Sequence, residues 1–165
     1  MSFRMWPALA SWGAGLVHFA VGAAAPPMFL AAFVVIATLE LAWGVAVLRS
    51  DRLVLPRLTL AASLSALLVS LAAALAGVMT WLPLVSATVM LVFIAGAAAI
   101  AVRRHARARD AGSQPATGQV RPGRTLVGFA AGAVLVAGLT TPALAATEAG
   151  EYAVPHGEMP GHHAH

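Results

Sequence analysis

Five stretches of about twenty apolar residues, separated by short polar or proline-bearing breaks, decide what this chain can fold into. They run Met5–Ala24, Met28–Leu48, Leu58–Met79, Leu82–Val102 and Thr125–Ala145. Inside hydrocarbon every backbone N–H and C=O must find its partner within the protein, so only helices and closed barrels cross a membrane. These stretches are Ala, Leu and Val runs without period-two alternation, which fits helices and not barrel strands. The breaks have physical causes. Pro26 and Pro27 remove backbone donors, and the Arg49–Arg52 segment carries three charges that hydrocarbon will not hold. The expected fold is all-α, a polytopic integral membrane helical bundle of about five transmembrane helices. Residues 1–102 form a four-helix transmembrane region and 103–124 an Arg-rich loop. A fifth helix covers 125–145 and a polar tail 146–165.

Composition agrees. The chain is 60% hydrophobic and 10% charged, whereas a soluble domain is about 45–50% apolar and about 25% charged. An ordinary soluble enzyme and a disordered chain are both excluded. The absence of cysteine excludes disulfides, zinc–thiolate sites, iron–sulfur clusters and thiol catalysis. No Ser/His/Asp set, phosphate-cradling glycine loop or pair of intramembrane carboxylates is visible, so no catalytic or cofactor-binding residue is assigned and the chain reads as non-enzymatic.

The formal net charge of +4 is a topology signal and not a nucleic-acid footprint. All ten basic residues are arginines: Arg4, Arg49, Arg52, Arg57, Arg103, Arg104, Arg107, Arg109, Arg121 and Arg124. With five spans, each falls on the same side of the membrane. The Ala25–Pro27 loop, the Thr80–Trp81 turn and the tail carry none. Arginine in short loops stays cytoplasmic, so the N-terminus is expected inside and the tail outside. The Arg103–Arg109 run is also compatible with a lipid-headgroup patch.

The fifth stretch has a second reading. Arg121 and Arg124 precede an apolar run, Leu126–Leu139, which ends at Pro142 and the small pair Ala143 and Ala145. Basic, then apolar, then small-x-small is the layout of a signal peptide. The segment is either a plain helix ending in a proline or a cleavable one cut after Ala145. Both place the tail outside the cytoplasm.

That tail gathers His156, Met159, His162, His163 and His165, with Glu158 among them. Neutral imidazole ligates zinc, copper and nickel, and a thioether favours Cu(I). Gly157, Pro160 and Gly161 keep the segment from becoming a helix, so several donors can wrap one ion. The expected ligand is a copper or zinc ion. The competing reading is a solvated tail that takes up metal only in the test tube.

Two ionisable groups fall within the spans, His18 and Glu40. A carboxylate in hydrocarbon needs a partner, a proton or a water-filled cavity. Glu40 lies about 12 residues, roughly 18 Å, from the end of span two at the Ala25–Pro27 loop, and His18 about 6 residues, roughly 9 Å, from the end of span one at that loop. Their depths differ by about two helical turns, so a direct bond is not expected without a register shift or a water. The functional reading is an ion or proton site between spans one and two. The plainer one is a protonated Glu40 bonded to a serine or carbonyl, with His18 as an interhelical hydrogen-bond group. Ser11-x-x-x-Gly15 and Gly128-x-x-x-Gly132 would let helices approach closely. Ser63, Ser65, Ser70, Ser86 and Thr88 read as packing groups.

Gly13-Ala-Gly-Leu-Val-His18, Leu39-Glu-Leu-Ala-Trp-Gly44 and the His-rich tail resemble small multi-span membrane proteins of actinobacterial-type, high-GC bacteria. The resemblance implies a bacterial plasma membrane and metal handling. Beside that stands an accessory subunit of a larger membrane complex with no metal role. The partners expected are the lipid bilayer, a metal ion and either a second copy or a larger complex, with no nucleic acid. The one-sided arginines generate a test. Reporter fusions after Arg57 and Arg109 should report cytoplasm, and a fusion after His165 the exterior. A cytoplasmic signal from the last would overturn the span count.

Overall fold

The computed structural model describes residues 5–50, 53–110 and 122–151. Its helices are α1 (Met5–Ala23), α2 (Pro27–Arg49), α3 (Pro56–Leu75), α4 (Trp81–Asp110), α5 (Pro122–Ala145) and the single turn α6 (Glu148–Glu151). No strand occurs among the described residues, and the chain is an all-α polytopic bundle.

Each helix starts and stops for a local reason. Prolines stand at the first turns of α2 and α3, where the missing N–H would have no partner anyway. α3 ends in a Schellman motif: the Val78 N–H donates to the Ala73 carbonyl at 2.8 Å and the Gly77 N–H to the Ala74 carbonyl at 3.0 Å. That closure needs the left-handed φ of +74° at Gly77, which glycine adopts without strain. α4 continues eight residues past the expected span end at Val102, through Arg103 to Asp110. The expected Arg-rich loop is thus helical over its first third. Alanine and arginine both propagate helix well, and nothing breaks the run there. Pro142 sits inside α5. Near it, the Ser86 hydroxyl of α4 donates to the Leu139 carbonyl at 3.0 Å, a side-chain bond that ties α4 to α5.

The five long helices expected are present, and they differ in their surroundings. Four segments are long and apolar enough to cross a membrane: Pro27–Arg49, Pro56–Leu75, Trp81–Arg107 and Leu126–Ala145. α1 is the centre of the bundle. It packs against α2, α4 and α5, while α3 packs on α4, and α2 and α3 barely meet. Twelve of the 19 residues of α1 are buried, against four of 23 in α2. A helix enclosed by other helices meets protein and not lipid. It can therefore carry Ser11, Trp12, Gly13, Gly15 and His18 where its neighbours carry Leu, Val and Ile.

Small residues set the approach of α1 to α2. A Cβ at Gly44 would stand 2.5 Å from the Trp12 ring and 3.1 Å from the Ala8 carbonyl oxygen. At Gly15 it would stand 3.2 Å from the Ala37 carbonyl oxygen. The Ser11 hydroxyl donates to the Glu40 carbonyl at 2.7 Å, and Trp12 Nε1–H to the Leu41 carbonyl at 3.3 Å. These two side-chain bonds tie α1 to the α2 backbone and hold the Trp12 ring against Gly44. Gly44→Ala should therefore destabilise by about 1–3 kcal/mol, the usual range for overpacking. Gly96→Ala, which has nothing within 4 Å of the new Cβ, should be neutral or slightly stabilising. Unfolding of both variants in mixed detergent checks this, and equal effects would refute the close-approach account.

Candidate functional site: a buried His–Glu–Ser network

His18 is fully buried on α1 and stacks on Phe33 of α2, with ring centroids 5.5 Å apart and planes 17° from parallel. Its Nδ1 lies 2.8 Å from Glu40 Oε2 on α2. Its Nε2 lies 3.0 Å from the Ser70 hydroxyl on α3. Ser70 is itself fully buried and donates to the Ala66 carbonyl at 2.9 Å.

The direct His18–Glu40 contact corrects the expectation drawn from depth alone. Gly15 faces Ala37, and Gly44 faces Ala8. That register sets His18 level with Val34, six positions before Glu40, an axial offset of roughly 9 Å. The gap closes because side chains on a helix lean toward its N-terminus. α1 and α2 run antiparallel, so His18 leans toward the arginine-rich end and Glu40 leans away from it. A long carboxylate arm and an imidazole converge from opposite sides. No register shift or water is needed.

The hydrogen bonds also decide where the protons sit. Serine has one proton to donate, and Ser70 places it on the Ala66 carbonyl. Its oxygen therefore accepts from His18 Nε2–H. Nδ1 then shares a single proton with Glu40 Oε2, either as carboxyl to imidazole or as imidazolium to carboxylate. Glu40 Oε1 is buried with no hydrogen-bond partner, as is Thr140 Oγ1. In both proton arrangements Oε1 is an acceptor.

Of the residues singled out from sequence, the structure joins His18 to Glu40 and adds Ser70, which had read as a packing group. The signal for Ser70 was available only as a polar residue at mid-depth of its helix, one of several such serines. His156, Met159, His162, His163 and His165 lie outside the described residues. Among the described residues no three His, Asp or Glu side chains group as a metal ion would require. The chain matches no protein-family model, no curated protein and no solved structure.

Both ring nitrogens of His18 are engaged, so the network can hold and pass a proton but presents no free imidazole lone pair to a metal. Glu40→Leu leaves Nδ1 buried without a partner and should cost about 1–3 kcal/mol. Glu40→Gln keeps a group that can donate to Nδ1 and should cost less than half as much. Detergent unfolding of the two variants is the measurement. Equal losses would mean that charge, and not hydrogen-bond satisfaction, holds the pair.

Proposed function

We propose that this chain is a non-enzymatic, multi-pass protein of a bacterial plasma membrane that captures a transition metal, copper or zinc, on its C-terminal segment outside the cell. The observation that carries this reading is in the sequence: four imidazoles and a thioether within the ten residues His156–His165. No other part of the chain concentrates such donors. The helical bundle serves as the anchor. Passage of the ion through His18 and Glu40 is disfavoured by the hydrogen bonds that engage both His18 nitrogens. The inside-out polarity of the arginines and the resemblance to small actinobacterial-type membrane proteins support the plasma membrane and the external position of the tail.

The chemistry sets the expected behaviour. A proton and a metal compete for the same imidazole lone pair, so binding should be present at neutral pH and lost as pH falls through about 6.5, the ordinary imidazole value. Met159 should matter for Cu(I) and little for Zn(II), because a thioether is a soft donor. Affinity should be modest, since wrapping the ion orders a flexible chain. The test is titration of the full-length, detergent-solubilised protein with Cu(I) and Zn(II), alone and with His162, His163 and His165 replaced by alanine. Equal binding by both proteins, or none by either, would remove the metal-capture reading.

A further inference from the structure

The two helices that barely meet leave a space between them. A cavity of about 700 Å³ runs between α2 and α3, with Leu91 and Ile94 of α4 on its floor and Val35, Leu39, Ala62 and Val69 among its walls. Along α2 its lining extends from Ala31 to Trp43, roughly 18 Å at 1.5 Å per residue. That is close to the hydrocarbon depth of a single leaflet, about 15 Å. A second cavity of about 500 Å³ lies where α3 begins and α4 nears its end, and includes Arg57 and His105 in its lining. Leu55 and Leu58 line both cavities, so the two adjoin.

The combined shape has a basic head at the arginine-rich end and an apolar tail running into the membrane. We propose that it is a binding site for one anionic phospholipid, with the phosphate at Arg57 and His105 and an acyl chain between α2 and α3. The guanidinium supplies a planar fork of donors suited to a phosphate. The first turn of α3 forms part of the wall and adds the positive end of that helix. His105 is held at the rim by its Nδ1–H, which donates to the Ala101 carbonyl at 2.7 Å. Arg49, Arg57, Arg103, Arg104 and Arg107 gather at this end of the bundle and outnumber the acids beside them in sequence, Asp51 and Asp110, so the end carries an excess of positive charge. A zwitterionic lipid would fill the apolar part without answering that charge, and a free phosphate would leave the apolar part unfilled.

The local chain path builds the junction. Leu55 adopts a left-handed φ of 48° at the start of α3. The neighbouring Val54 carbonyl accepts from both Trp43 Nε1–H and the Thr59 hydroxyl, each at 3.1 Å. Trp43 thereby ties the end of α2 to the start of α3 and props the cleft open at its basic end.

The experiment uses the full-length protein in a non-ionic detergent, with lipid retention read by native mass spectrometry. The native chain should retain phosphatidylglycerol about fivefold more tightly than phosphatidylcholine, as one guanidinium near a headgroup predicts. Arg57→Gln/His105→Gln should bring that ratio close to one. Arg103→Gln/Arg104→Gln, which lies outside the cavity lining, should preserve most of the preference. Ala62→Phe, which fills the apolar part from an exposed position, should weaken retention of both lipids. Equal lowering of the ratio by the two double variants would reduce the effect to a diffuse field. Displacement of phosphatidylglycerol by inorganic phosphate, with no effect of Ala62→Phe, would make it a phosphate site. Equal retention of both lipids, or of neither, would overturn the proposal outright.

Discussion

An imidazole inside a bilayer has no water to turn to, and the arrangement of this bundle follows from how that demand is met. His18 sits on α1 with one nitrogen answered from α2 and the other from α3. For both partners to reach it, α1 must lie between them and be screened from lipid on most of its surface. It is the most enclosed of the long helices, with twelve of its 19 residues buried. A helix facing lipid with the same Ser, Trp, Gly and His content would expose polar atoms to hydrocarbon at several kcal/mol each. Within the bundle the same residues become its fasteners: Ser11 and Trp12 bond to carbonyls of α2, and Gly15 admits that backbone closely.

The remaining helices divide the work. α4 backs both α1 and α3, and α5 closes over α1 with Gly132 against Leu9 and Trp6. α2 packs on α1 and α3 packs on α4, so the two have little contact with one another. A gap between two membrane helices does not stay empty, because an unfilled apolar void forfeits contacts on both walls. Beside it, at the arginine-rich end, lies the smaller cavity lined by Arg57 and His105, which is why an anionic lipid is the proposed occupant. In the proposed topology the tail emerges on the side opposite the arginines, which would put the proposed lipid site and the proposed metal capture on opposite sides of the membrane.

Much of this was legible in the residues themselves. Helical class, membrane residence, the break at Pro26 and Pro27 and the stop after Leu75 depend on composition and on neighbours within one or two turns. So does the concentration of donors between His156 and His165. Boundaries were less legible. α4 outran its expected end because a run of alanine and arginine is a good helix whether or not lipid surrounds it. Span counting by hydropathy treated α1 as an equal of the others, since a buried helix and a lipid-facing one differ only modestly in composition.

The chain's own pattern thus determined that there would be a helical bundle in a membrane, with two ionisable groups inside it and its positive charges gathered on one side. Those properties are local or additive, and each residue carries its share of them anywhere in the fold. Which residues meet is neither local nor additive. His18 and Glu40 look mismatched in depth when counted along their helices. They meet at 2.8 Å because antiparallel helices lean their side chains toward each other across the offset. Ser70 becomes their partner only because α3 is carried to that side of α1 by its packing on α4. The cleft between α2 and α3 likewise exists in no single segment. Such contacts are set by the register and placement of whole helices, and a sequence read one segment at a time does not contain them.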